Sequence, residues 1–292
     1  MYKILLLTDY SDASRQAIVY TQQLFADTPV DFCLLNAFPV EAEVAYGLSY
    51  TAINYWQLAQ DSIVELRQEV EKKSISEQHT FRIEVLPGGP INALEVQLSR
   101  EPFDLVVVGA TGSGISERLG SVATGVVRHA TTNVLVVPAT ATAGQVEQVV
   151  LATDYQPATS ALSFALLKDI VARKKAQLTL LHVEADRKAA PVAEETIRQY
   201  LLSNFAGIKI ETATITDEDV LQGMNHYLDA CRVDMLVMLP HHKSIWDVLL
   251  GNSLTRSIAY HPRVPLLTLY DRVVEPVQQE APQEEYIPFL PL

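Results

Sequence analysis

The segment LLLTDY at residues 5–10 returns as VVLATDY at 149–155, and the echo continues in order along the chain. VDFCLLNAF at 30–38 is answered by AQLTLLHVE at 176–184, and the stretch 81–86 by 209–215. FDLVVVG at 103–109 is answered by VDMLVMLP at 233–240, and Leu119-Gly120-Ser121 by Leu250-Gly251-Asn252. Matched anchors in a fixed order mark an internal duplication. A chain of 292 residues with this pattern is expected to build one unit twice.

Within the first unit, apolar runs of strand length alternate with segments of helical spacing. Strands are expected at 4–8, 31–38, 81–86, 105–109 and 134–137. Helices are expected at 13–25, capped by Ser11 or Asp12, and at 50–73, 91–98 and 121–130. On the long helix, Ile53, Trp56, Ile63, Leu66 and Val70 fall near one face, and Trp56 is read as packing on the sheet. Strands alternating with helices give an α/β fold, a mostly parallel sheet covered on both faces. The boundaries follow: a first domain over 1–138, a small polar linker at 139–145, a second domain over 146–270 and a tail at 271–292. The tail has four prolines, three glutamines and an acidic balance, the composition of a mobile segment, although its apolar end suits docking in a groove.

The chain holds 35 acidic against 22 basic residues, a net charge of −13. That balance argues against a nucleic-acid partner, because phosphate contacts need clustered cations. No apolar run approaches the length of a membrane span, and the N-terminus reads as a first strand rather than a signal peptide. Cys33 and Cys231 stand far apart without metal-ligand spacing, and Cys33 reads as a small buried hydrophobe. A reduced, cytoplasmic setting is expected.

Residues 103–138 carry the functional signal. The run Leu105–Val108 ends on Gly109, and a loop with Gly112 and Gly114 leads to Gly120-Ser121 and a helix. A strand, a glycine-rich loop and a helix start can converge backbone N–H groups on phosphate oxygens, and glycine permits close approach by a ligand. In the second unit the corresponding loop opens Leu239-Pro240-His241-His242. Proline lacks an N–H and the others carry side chains, so a phosphate cradle is poorly specified there. Trp246, in the same loop, is read as filling the space a ligand would take. His241 and His242 have only Asp247 nearby as a further metal ligand, and Lys243 gives the loop a local positive character. The glycine asymmetry singles out 109–121.

Taken together, Thr8-Asp9, Gly109-x-x-Gly112, Gly120-Ser121 and NVLVVP at 133–138 resemble the universal stress protein family, in a tandem arrangement covering 1–270. The resemblance implies two repeated Rossmann-like domains, each with a five-stranded parallel sheet in the order 3-2-1-4-5, meeting along their fifth strands as an intramolecular pseudo-dimer. It implies an adenine nucleotide, ATP or AMP, with Mg²⁺, at the carboxyl ends of the first and fourth strands. Thr8 and Asp9 would then lie at the ribose or the metal, and Ala37 and Phe38 would border the adenine. Gly109, Gly112 and Gly114 would surround ribose and phosphates, and Gly120 and Ser121 would bind phosphates at a helix start. Asp9 is the metal candidate. Seven residues separate Gly112 from Gly120, two fewer than in the family's pattern.

Each candidate also has a plainer role. Asp9, Asp154 and Ser121 serve equally well as helix caps, and His129 and His261 as residues of helix C-termini favoured by the dipole. His182 reads as a satisfied strand residue. There is no Walker lysine after the glycines and no nucleophile with a histidine and carboxylate. The expected activity is therefore nucleotide-linked regulation, stress-response in type, with slow ATP hydrolysis at most. The alternative is a nucleotide-free scaffold or interaction module with vestigial loops. Homo-oligomers and an unknown protein partner are both compatible with either.

Overall fold

The computed structural model describes residues 1–39, 49–110, 121–142, 146–153, 161–184, 191–205, 207–239 and 263–271. The first half contains β1 (Tyr2–Leu7), α1 (Asp12–Leu24), β2 (Val30–Phe38), α2 (Ser49–Lys72) and β3 (His79–Pro87). It continues with α3 (Pro90–Arg100), β4 (Leu105–Gly109), α4 (Ser121–His129) and β5 (Asn133–Val137). The second half contains β6 (Gln148–Ala152), a 3₁₀ turn at Ala161–Phe164, α5 (Ala165–Lys174), β7 (Gln177–Glu184), α6 (Pro191–Asn204) and β8 (Ile210–Thr216). It ends with α7 (Val220–Ala230), β9 (Met235–Met238) and β10 (Leu266–Thr268).

The strands form one ten-stranded sheet in the order β3-β2-β1-β4-β5-β10-β9-β6-β7-β8. Each half contributes five parallel strands in the order 3-2-1-4-5, as the repeat and the resemblance imply. The halves meet where β5 and β10 pair antiparallel, with Val136 opposite Leu266, Leu135 opposite Leu267 and Val134 opposite Thr268. The side chain of Asn133 clips the end of this seam. Its Nδ2 donates to the Asp104 carbonyl (3.0 Å), and its Oδ1 accepts from the Tyr270 N–H (3.0 Å).

Alternation along each strand divides the core into two layers. Ile4, Leu6, Leu105 and Val107 face α1 and α2, and the same cluster runs on through Leu135, Leu267 and Val237 to α5 and α6. Leu5, Leu7, Val106 and Val108 face the other side, with Ala93 and Leu94 of α3, Val126 of α4 and Met224 of α7. The aspartates of FDLVVVG and VDMLVMLP, Asp104 and Asp234, are structural. Asp104 Oδ2 accepts from the Lys3 N–H (2.8 Å), and Asp234 Oδ2 accepts from the N–H groups of Glu147 (2.8 Å) and Gln148 (2.9 Å). Each ties the start of its half's first strand to the fourth.

One expectation is corrected. Trp56 does not pack on the sheet: it is 44% exposed, with Tyr55 and Leu58 exposed beside it, and Ala59 takes the buried position on a stripe with Ile63, Leu66 and Val70. Ala59, Ile63, Leu66 and Val70 form an i, i+4, i+7, i+11 stripe, and Tyr10 reaches the Ala59 carbonyl at its first step (3.1 Å). The stretch between the two halves is held to the first of them. Ala141 is buried and its carbonyl accepts from Gln16 Nε2 on α1 (2.5 Å).

Candidate functional site

The order of the sheet reverses at β1, which has β2 on one side and β4 on the other. The crossover connections therefore diverge there and leave a crevice at the strands' carboxyl ends. Leu7 lies opposite Leu35 and Leu6 opposite Val107, a register that brings Thr8-Asp9, Ala37-Phe38 and Gly109-Ala110 to one rim. Three of the strand ends named from sequence thus converge.

Their contacts differ in kind. Thr8 is buried; its N–H donates to the Leu35 carbonyl (2.9 Å), and its own carbonyl accepts from Asn36 Nδ2 (2.8 Å). The Thr8 hydroxyl lies 3.1 Å from the Ser14 hydroxyl and accepts from the Tyr10 N–H (3.0 Å). Asp9 is exposed. Its Oδ1 accepts from the Ser11 N–H (3.1 Å) and hydroxyl (2.5 Å), and Oδ2 makes no hydrogen bond among the described residues. The helix cap is Ser11 rather than Asp9: Ser11 Oγ accepts from the Ser14 N–H at the start of α1. Phe38 is buried and its carbonyl is taken by the Gly88 N–H (2.9 Å), while Ala37 is half-buried.

Gly109 has a packing reason to be glycine. A Cβ there would lie 2.9 Å from the carbonyl carbon of Ala13 and 3.0 Å from its oxygen, so the first turn of α1 presses on the end of β4. Ala110 continues the strand, donating to the Val137 carbonyl (2.8 Å). Ser121 is the first residue of α4. Gly112, Gly114 and Gly120 lie outside the described residues, as do Asp154, His241, His242, Lys243, Trp246, Asp247, Gly251 and His261.

Sequence reading passed over Tyr10. Its backbone is left-handed, with φ +63°, and burial pushes its phenol up to about 12. The second half repeats one device of the rim in altered chemistry. His182 Nδ1 lies 3.0 Å from the Thr153 carbonyl, where Asn36 reaches the Thr8 carbonyl in the first half. Because a carbonyl only accepts, Nδ1 is the protonated nitrogen. His129 sits in the last turn of α4, its Nδ1 2.8 Å from Glu95 Oε1. An open depression of about 720 Å³ lined by Glu71, Ser74, His79 and Phe81 lies at the opposite rim, where β3 begins. His79 Nε2 donates to the Phe25 carbonyl (3.0 Å) and the ring lies edge-on to Phe32, while the buried Nδ1 has no hydrogen-bond partner among the described residues.

The profile of the universal stress protein family matches residues 1–138. A universal stress protein of Methanocaldococcus jannaschii is 32% identical over 141 residues, spanning 46% of this chain and 81% of that protein. The chain belongs to the universal stress protein family. Among solved structures, a universal stress protein from Archaeoglobus fulgidus covers 92% of this chain and 98% of its own, with a TM-score of 0.71 at 15% identity. The fold of this universal stress protein also matches the cytoplasmic domain of a prokaryotic cation chloride cotransporter, with a TM-score of 0.55 at 11% identity over 94% of this chain and 97% of that one. Likeness at such identities concerns the fold, and one fold serves several ends. Function has to be argued from the rim itself.

Proposed function

We propose that the first half of this universal stress protein, residues 1–138, binds an adenine nucleotide, ATP or AMP, at the carboxyl ends of β1 and β4. The observation that carries the reading is the exposed Asp9 carboxylate fixed at the point where strand order reverses, with Oδ1 committed to Ser11 and Oδ2 uncommitted among the described residues. A hard cation suits that donor. Mg²⁺ takes one or two carboxylates and fills its remaining positions with phosphate oxygens and water, so Asp9 fits a metal that arrives with its nucleotide. When bound, that ion neutralises phosphate charge. On this reading adenine binds at Ala37 and Phe38, and the phosphates are assigned from the sequence to Gly109, Gly112, Gly114, Gly120 and Ser121. The sequence has no Walker lysine after the glycines, and the bound nucleotide is read as a signal rather than a substrate. The two cysteines are unpaired thiols, which supports a reducing, cytoplasmic setting.

The second reading, a nucleotide-free interaction module, is favoured by one observation. Ala13 accounts for Gly109 without any ligand. The deciding experiment is purification without added nucleotide, followed by release and identification of the bound small molecule. Near-equimolar ATP or AMP supports the nucleotide reading. An empty protein that also fails to bind millimolar ATP removes it.

A further inference from the structure

Among the described residues, two non-glycine positions have positive φ, Tyr10 and Lys175. Lys175 closes α5 in the left-handed conformation common at helix C-termini. Tyr10 has no such excuse, since it precedes a helix, and a bulky side chain in that region is an outlier. A strained residue persists only where its surroundings over-determine it. Here every polar group of Tyr10 is held. The N–H donates to Thr8 Oγ1 (3.0 Å), the carbonyl accepts from Arg15 Nε (3.3 Å), and the hydroxyl donates to the Ala59 carbonyl of α2 (3.1 Å). Arg15 is in turn ion-paired with Glu69 of α2.

The strain has a product. With Asp9 accepting from Ser11, the Asp9 side chain stands in for the first residue of a turn. Tyr10 then occupies the place where a type II turn takes positive φ and prefers glycine. Glycine would close this turn without strain. Only a large side chain ties the turn to α2.

We propose that Tyr10 is a positioning residue for Asp9: its left-handed backbone, locked through the phenol hydroxyl to Ala59, keeps Oδ1 on Ser11 and leaves Oδ2 for the cation of a nucleotide phosphate. The identity of that ligand rests on the nucleotide reading above; the hold on Asp9 does not. Two readouts on the full chain separate them: hydrogen exchange of the Ser11 amide in the free protein, and ATP affinity with and without Mg²⁺. Tyr10→Gly is expected to unfold near the wild-type temperature, to lose Ser11 protection, and to lose about tenfold of the affinity that Mg²⁺ adds, the scale typical of a group that orients a metal ligand. Its affinity for ATP without Mg²⁺ stays at the wild-type value. Asp9→Asn reproduces the Mg²⁺ loss, and Tyr10→Phe, which keeps the ring but lacks the hydroxyl that reaches Ala59, falls between the wild type and Tyr10→Gly in both properties. A Tyr10→Gly protein with Ser11 protection and Mg²⁺ dependence intact overturns the proposal. If the wild type binds no nucleotide, the nucleotide reading falls and Ser11 exchange alone decides the hold. Should Tyr10→Gly not fold, Tyr10→Asn, which tolerates the left-handed region, carries the same two measurements.

Discussion

Gly109 and Glu101 show how single residues here answer to packing and charge before they answer to any ligand. Gly109→Ala places a methyl against the backbone of Ala13, which cannot swing aside as a side-chain tip can. The expected cost is about 1–3 kcal/mol, the usual range for overpacking, measured by urea unfolding and equal with and without nucleotide. A glycine kept only for a ligand would leave that stability untouched. Glu101 is buried enough to favour its neutral form. Its hydrogen bond and charge contact with Arg82, then those with Lys3, outweigh burial and hold its carboxyl below the usual carboxylate range. Asp31 shares Arg82, at 3.0 Å from Nε. A carboxyl depressed on folding contributes stability above its unfolded pKa and loses it as the pH falls through the folded value. The gap in thermal stability between wild type and Glu101→Gln should therefore be widest near neutrality and close below about pH 4.

Among the elements, α1 and α5 are stapled across the seam by one side chain. Arg173 donates to Asp27 (2.6 Å) and Asp169 (2.7 Å), reaches the Leu24 carbonyl (3.4 Å) and lies 5.1 Å over the Phe25 ring. It is less exposed than a surface ion pair and wetter than a buried one. Arg173→Ala should cost about 2 kcal/mol, between those extremes, and calorimetry should show the single unfolding transition broaden or split. Elements of this kind were legible in the sequence to differing degrees. β4 was bounded at Leu105–Gly109 because an unbroken apolar run flanked by Asp104 and a glycine leaves little choice. β3 ran longer than expected, from His79 to Pro87, because an edge strand with half-buried residues on both faces has weak alternation. Trp56 falls off the buried stripe because helical periodicity admits neighbouring stripes, and tertiary packing selects the one through Ala59. Thr8 and Asp9 are named by the family resemblance, and Gly109 by a glycine-rich loop that the second half lacks. Tyr10 is named by neither, because its conformation is imposed by Arg15 and Ala59, partners that no local pattern reveals.

At the scale of the molecule, the ten strands should behave as one cooperative sheet. Leu135 and Leu267 face each other across the seam, and both are fully buried. Each change to Ala should cost about 2–5 kcal/mol. The double variant should depart from additivity by about 0.5–3 kcal/mol, as contacting residues do; simple addition would mean the halves unfold independently. The antiparallel meeting of β5 and β10 has a further consequence. Since every other neighbouring pair is parallel, the carboxyl ends of the first five strands and of the last five point to opposite rims. The duplicated crevices thus look away from each other, one built on Asn36 and the other on His182. The two points of reversal, at β1 and at β6, therefore open onto opposite edges of one continuous sheet, and whatever covers one edge leaves the other uncovered.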